Sequence, residues 1–491
     1  MSGMDLFDRV LLRLAPRRAL ARVRARAKAT TLMNYDAASR GRRTHGWRAP
    51  ASDADSAAGA SRSRLRFLSR DFVRNRPLAA RARDVITGNV VGAGILPSVE
   101  MPAGASDRTE EAMALIRDHL LTPAIDAYGV SYLPGLQRQV MNAVFTDGEV
   151  LVRRRLRDLR YEPYLKLPFQ VQLLEVDHLD ETLTSHGRNE VVDGIEYGPT
   201  GKAVAYHLFD RHPGDMTGAL AGRLTSRRVP ASEILHIRRI DRPGQMRGVP
   251  WLAPVMMTLG EISDYQEAQI LKQKIAALLA FFIEADEDGN VYDGAALEEV
   301  APGAVVGLKS GQKMTASEPP KVDGYGDFMR EAVRSVAAGL GLTYESFGDL
   351  SKVSFISGRM GRMDMDRAVQ VWQQVLIIAQ FCEGLGRWTC EGWRLVEKAR
   401  GLPPVPERIS WTAPGRPMLD PKEIDMALAE IEGGLTSLQR KQRERGLDPD
   451  VIARERAEDA ARISVPKGTR ASVPTGAETT DDNEENADGR Q

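Results

Sequence analysis

A chain of 491 residues is longer than one average domain, and its 42% hydrophobic and 27% charged composition is that of a folded protein with disorder only locally. Lys+Arg and Asp+Glu both total 67, which excludes the uniformly basic make-up of a simple nucleic-acid coat. Two cysteines, Cys382 and Cys390, make neither a disulfide framework nor a metal-ligand spacing, and no apolar run of about 18 residues offers a membrane span.

The charge is uneven along the chain. Residues 1–84 hold 20 Lys/Arg against 7 Asp/Glu, whereas 472–491 hold 6 Asp/Glu against Arg490 alone, so the two ends attract different partners. The first 30 residues read as a basic amphipathic helix, with Arg at 9, 13, 17, 18, 22, 24 and 26. This stretch has no uninterrupted apolar core, so it is not a secretory signal, and Asp5 and Asp8 weigh against a transit peptide. Residues 34–64, rich in Ala, Ser, Gly, Arg and Asp, lack periodicity and predict an extended, partly disordered arm.

Leu65, Phe72, Leu78 and Ile86 set a helical spacing that should stop near Gly88, and the glycines and proline of Asn89–Pro97 predict a turn and a strand. Amphipathic helices are expected over 107–122 and 131–147. From Glu149 the period changes to that of short antiparallel strands, at 149–155, 169–175, 191–197, 203–209 and 234–237. The first half is therefore α+β. After Pro250 the pattern is helix (251–280, with Pro254 in its first turn), a strand-rich insert holding 281–285, the acidic turn 286–289 and 303–308, then a helix over 326–340. An irregular stretch follows over 343–357, with a turn at Gly348-Asp349, and then a long helix from about Arg359 to Trp388 or beyond. Pro403 to Pro406 breaks the chain, Ile409–Thr412 reads as a strand, and Asp420-Pro421 caps a set of short helices reaching 462. The polar tail from Val465 predicts disorder.

No stretch carries the pattern of a phosphate-cradling loop, a zinc protease or a nucleophile elbow. Gly92-Ala-Gly lacks the third glycine of a dinucleotide fingerprint and runs into Pro97 rather than a helix. Asp177, His178 and Asp180 are the best catalytic-looking cluster, one that could hold a divalent metal in a nuclease; the plainer reading is that they satisfy a strand end and its turn. Arg153-Arg154-Arg155 cannot serve one ligand, because successive strand residues face opposite ways. Arg227-Arg228 and Arg238-Arg239 read the same way, as solvated faces or inter-subunit partners.

Several stretches, in order, resemble the lambda-like phage portal family. They are 35–47 (YDAASRGRRTHGW), 65–82, 88–97 (GNVVGAGILP), 147–155 (DGEVLVRRR), 172–180 (QLLEVDHLD), 194–197, 205–209, 229–237 (VPASEILHI) and 242–255 (RPGQMRGVPWLAPV). The resemblance covers roughly 30–460 and implies a helix-rich α+β portal fold that assembles as a dodecameric ring. It divides the chain into an N-terminal arm (1–64), a wing (65–250), a stem helix (251–280), a clip (281–324), a second stem helix (325–342), a tunnel loop (343–357), a wing helix with its return (358–419), a helical crown (420–464) and an acidic tail (465–491).

The resemblance implies no enzyme activity and no cofactor. It implies a virion component at the portal vertex, assembled in the bacterial host cytoplasm, through which double-stranded DNA passes without sequence-specific contact. Its implied partners are the terminase large subunit, a head–tail connector protein, and scaffold or major capsid protein, with no membrane. Near-neutral charge suits a channel that must pass a polyanion without gripping it, since each neutralised phosphate adds affinity. Candidate channel residues are Lys272 and Lys274 on the first stem helix, and Lys352, Arg359 and Arg362 near the tunnel loop, whose core is Ser351, Lys352, Val353, Ser354 and Phe355. Lys272 and Lys274, two apart, do not share a helix face. The remaining readings are a DNA-binding adaptor working through the basic N-terminus and the nuclease at Asp177, His178 and Asp180.

Overall fold

The computed structural model describes residues 42, 45–46, 51–215, 224–277, 281–284, 313–316, 324–348, 354–415 and 422–462. The chain divides into two units, Met1–Ala60 and Ser61–Gln491. In the first, the described residues are a turn around Gly46 and the opening of helix α1 (Ala54–Asn75). The helix expected over 1–30, the turn at 286–289, the strand at 303–308, the Asp420-Pro421 cap and the tail from 465 lie outside the described residues.

Helix α1 corrects the expected start at Leu65: residues 54–64 are helical rather than part of a loose arm. Their composition hid this, because the buried position within 54–64 is Arg62 and the apolar contacts of the helix begin at Leu65. Pro77 ends the run: it pushes Arg76 to φ −115°, ψ 115° and restarts the chain as helix α2 (Pro77–Val90), which passes Gly88. Strand β1 (Leu96–Glu100), helix α3 (Thr109–Leu120) and helix α4 (Leu133–Asp147) follow. Ala79, Ala82, Ile86 and Val90 of α2 lie against Leu133, Leu136, Val140, Val144 and Phe145 of α4, each set at helical spacing and buried.

Strands β2 (Glu149–Leu156), β3 (Phe169–Leu174) and β9 (Ile234–Arg238) form one antiparallel sheet in the order β3-β2-β9. A five-stranded meander runs β4 (Ser185–His186), β5 (Asn189–Val192), β6 (Ile195–Tyr197), β7 (Ala203–Phe209) and β8 (Ser226–Pro230). The single strand expected over 191–197 is two strands. Asp193 (φ 49°) and Gly194 (φ 81°) turn between them, the two-residue hairpin that an Asp-Gly pair favours. Leu151, Leu174, Leu179, Ile195, Tyr206, Leu208, Val229 and Ile234 make a second, smaller core between the sheets.

Helix α5 starts at Met256 and ends at Ala277; Trp251–Val255 form turns before it, so Pro254 precedes the helix rather than sitting in its first turn. Strands β10 (Phe281–Glu284) and β11 (Lys313–Ala316) pair antiparallel. Helix α6 (Tyr325–Leu340) packs on α5 through Tyr265, which stands 5.7 Å from Tyr325 and 4.6 Å from Phe328. Gly341 (φ 72°) closes α6, with Leu342 N–H donating to Ala337 O.

A continuous helical rod then runs from Phe355 to Arg400: helix α7 (Phe355–Trp372), a π-helical stretch Gln373–Cys382 and helix α8 (Glu383–Arg400). Its wide turns place glutamine side chains on open backbone. Gln373 donates to Val90 O, and Gln380 both accepts from Arg238 N–H and donates to Arg238 O at the free edge of β9. Strand β12 (Arg408–Thr412) returns to pair with β1. Helices α9 (Lys422–Glu432), α10 (Leu438–Glu444) and α11 (Pro449–Arg462) finish the described chain.

His119 of α3 is fully buried, its ring 5.0 Å from that of Phe169, and burial pushes its pKa down to about 3. The unfolded chain binds a proton there from about pH 6.5 downward while the folded chain does not. Stability should therefore fall as pH drops from about 6.5 towards 3, by up to about 1.4 kcal/mol per pH unit from this one group. His119→Leu is expected to make the pH dependence of the urea midpoint shallower between pH 6.5 and 4.5. An unchanged slope would mean that the ring is not held neutral.

Candidate functional site

The densest chemistry in the structure is a set of buried ion pairs where α1, β2, the 175–181 turn and the 242–251 loop meet. Glu149 opens β2 directly after Gly148, whose φ of 88° ends α4. Its carboxylate is fully buried and accepts from Arg247 Nε at 2.9 Å, Gly248 N at 2.8 Å and His236 Nε2 at 2.9 Å. Burial alone would push this carboxyl up; Arg247 and His236 overcome that and hold it well below the usual range. Burial holds His236 below the usual imidazole range, so a neutral ring donates from Nε2. Arg247 also reaches Glu181 at 3.2 Å and Asp193 O at 3.2 Å.

Helix α1 joins through arginines spaced four apart. Arg62 contacts Asp193 at 2.5 Å, Arg66 contacts Asp177 at 3.0 Å, and Arg70 donates to both oxygens of Asp147 at 2.8 and 2.7 Å and to Asp177 at 2.6 Å. All lie on one helix face, beside Leu65, Leu68, Phe72 and Val73, which pack partly buried against the main core.

This geometry decides the cluster singled out in the sequence. Burial pushes Asp177 up, but Arg66 and Arg70 hold it below its ordinary value. Asp180 accepts from the N–H and hydroxyl of Thr182, and His178 Nδ1 meets Phe209 O at 3.0 Å. The three side chains therefore serve separate structural contacts rather than converging on one reacting atom. The arginine runs divide in the same way. Arg154 pairs with Glu391 and lies over Trp388, Arg227 pairs with Asp210, Arg228 with Glu196, and Arg239 with Asp241 while lying 4.8 Å over Trp251.

The candidate channel residues fall on separate elements. Lys272 is half-buried and Lys274 exposed near the end of α5, and neither makes an ion pair among the described residues. Arg359 approaches Glu423 at 4.0 Å. Arg362 is engaged within the subunit, donating to Asn89 at 2.8 Å and meeting Asp366 at 2.9 Å, and it lines a groove with Arg440 and Arg443 that the sequence did not signal. Ser351, Lys352 and Val353 lie outside the described residues. Ser354 and Phe355 do not belong to an irregular loop: the Ser354 hydroxyl caps the helix that Phe355 opens by accepting from Ser357 N–H, and the helix precedes the expected start at Arg359. Cys382 is buried and its thiol is pushed up by that burial, so it behaves as a packing residue.

Comparison with known proteins adds the context. The family model described as phage portal protein, lambda family, matches residues 40–373. A probable portal protein of Halomonas phage phiHAP-1 is 31% identical over 376 residues, 70% of this chain and 70% of the relative. The portal protein of Escherichia phage N15 is 23% identical, covering 91% of this chain and 94% of the relative. Among solved structures, a chain from the neck of a native GTA particle computed with C12 symmetry is 14% identical, covering 78% of this chain and 94% of that one, with a TM-score of 0.45.

Proposed function

The chain belongs to the lambda family of phage portal proteins, and on that premise we propose that its subunits close into a ring whose central channel passes double-stranded DNA at one vertex of the capsid. The ring is the head–tail connector. In this reading 65–250 and 358–419 form the wing, α5 and α6 are the stem, the β10–β11 segment belongs to the clip, and α9–α11 are the crown. The terminase large subunit docks at the clip and supplies ATP hydrolysis, and a connector protein and scaffold or capsid protein bind other faces. The subunit itself does no covalent chemistry, and the particle is its location.

One observation carries this reading. Ile356, Met360, Met363, Val371 and Val375 are exposed at helical spacing along one face of the rod, and Met257, Ile270 and Leu271 are exposed on α5. A subunit that worked alone would leave these apolar side chains in water, whereas neighbouring copies in a ring cover them. Lys272, Lys274, Lys352 and Arg359 remain the candidates for brief phosphate contact. Arg362 is the weakest of the set, since its guanidinium is engaged within the subunit.

Negative-stain microscopy and native mass measurement of the purified protein should show a large ring with a central hole. Met360→Asp with Val371→Asp should yield monomers whose far-UV circular dichroism is unchanged. A wild type that stays monomeric at high concentration would remove the ring, and an intact ring in the double variant would remove this stripe from the interface.

A further inference from the structure

The meander carries a constellation that the portal function does not use. His186 of β4, Asn189 of β5, Glu196 of β6, His207 of β7 and Arg228 of β8 share one face of adjacent strands, opposite the apolar cluster formed by Ile195, Tyr206, Leu208 and Val229. Glu196 is almost fully buried and His207 nearly so, whereas the His186 side chain is about half exposed. His186 Nδ1 and His207 Nε2 stand 3.3 and 3.2 Å from the same oxygen, Glu196 Oε2, and the three ligand atoms all lie within 4.8 Å of one another.

The two nitrogen-to-oxygen separations match edges of a coordination tetrahedron. Ligands at about 2.0–2.1 Å from zinc stand about 3.3 Å apart. The carboxylate is the centre of the group. Oε2 is approached by His207, His186 and Arg228 Nε (2.7 Å), while Oε1 takes Asn189 Nδ2 at 2.6 Å and the second Arg228 nitrogen at 3.2 Å. Hydrogen bonds from His207 and Arg228 match the two lone pairs of Oε2, and His186 Nδ1 stands within ion-pair reach of the same oxygen. A divalent cation in the place of Arg228 would take both imidazole nitrogens and Oε2 as ligands.

We propose that His186, Glu196 and His207 form a zinc site, with the fourth position open to water on the exposed His186 side. Two imidazoles and one carboxylate suit zinc better than magnesium or calcium, which prefer oxygen. Arg228 is the competitor: it must give up Oε2 before the metal enters, and its side chain is 40% exposed, so it has solvent to move into. The other grouping of this kind among the described residues, Glu175, Asp177 and His212, offers one imidazole, and Arg70 already neutralises both of its carboxylates at 3.0 and 2.6 Å. Zinc at the first site would tie the β4–β5 edge hairpin to β6 and β7.

The test uses the full-length protein stripped with a chelator and titrated with zinc chloride against a chromophoric competitor, with cobalt(II) substitution to report geometry. One metal per subunit is expected, with micromolar or tighter affinity and the intense ligand-field absorption of four-coordinate cobalt. His186→Ala, at an exposed position on the sheet edge, should weaken binding at least about tenfold without unfolding the protein. Arg228→Gln should strengthen it by about tenfold, because it removes a like charge beside the ion. His212→Ala should leave binding unchanged. No stoichiometric zinc at micromolar concentration, affinity unaltered in His186→Ala, or loss of binding in His212→Ala would each overturn the assignment and leave Glu196 as the centre of a structural ion-pair cluster.

Discussion

Arg247→Ala is expected to destabilise the subunit by about 3–5 kcal/mol, read as a drop in the urea midpoint followed by tryptophan fluorescence. The size follows from what the substitution leaves behind. Arg247 and Glu149 are both buried, and the arginine is held above its usual range by Glu149 and Glu181 despite a burial that works the other way. Removing the cation strands a carboxylate that has only neutral donors left, His236 and Gly248 N–H. Glu149 must then take up a proton to stay buried, so the variant should regain part of its stability as pH is lowered through the carboxylate range. Glu149→Gln in the Arg247→Met background should recover most of the loss, because the amide still accepts from Gly248 and no charge is left inside. If the double variant is as unstable as the sum of the singles, the two side chains do not depend on each other. The consequence for a portal is geometric. The 242–251 loop leads into α5, so this pair seats that loop on the start of β2, and weakening it should lower the yield of rings.

The sequence made some of this legible and not the rest, and the difference has a physical basis. Some helix ends were readable where a glycine acts locally, as at Gly341, whose positive φ closes α6; others were not, since α2 runs past Gly88 to Val90 and α8 runs past Trp388 to Gly401. The Asp193-Gly194 turn was also written locally, but the β-branched residues around it gave one uninterrupted strand pattern that masked it. The start of α1 could not be read, since its buried face is Arg62, Arg66 and Ser69. Those residues make sense only with partners such as Asp193 and Asp177, more than a hundred positions away. The same holds for Glu149 and Arg247. Each lies in a family-like stretch that carried no recognisable chemistry, and only the fold shows the two stretches gripping each other. Channel residues are harder still, because the feature that defines them belongs to the ring rather than to the subunit.

Gly148→Ala should be nearly as damaging as Arg247→Ala, and for a reason that owes nothing to charge. Gly148 has φ 88°, a region where an alanine costs about 1–2 kcal/mol. Gly201 shares that burden, with φ 73°, but a Cβ there meets nothing within 4 Å, so Gly201→Ala measures the backbone penalty alone. At Gly148 a Cβ would stand 2.3 Å from the carbonyl carbon of Val249, and at Gly248 it would stand 2.2 Å from Gly148 O. The obstacles are main chain on both sides, so no rotamer change relieves them; the 247–250 segment has to move away from β2. That movement would pull Gly248 N–H from Glu149 and Trp251 N–H from Phe145 O, two hydrogen bonds that seat the loop. Gly148→Ala is therefore expected to cost at least about 3 kcal/mol, against about 1–2 for Gly201→Ala. Equal losses in the two variants would show that the crossing has slack. A larger loss at Gly148, together with fewer rings in the microscope, would place the seat of the 247–250 segment on two backbones that touch where side chains leave them room.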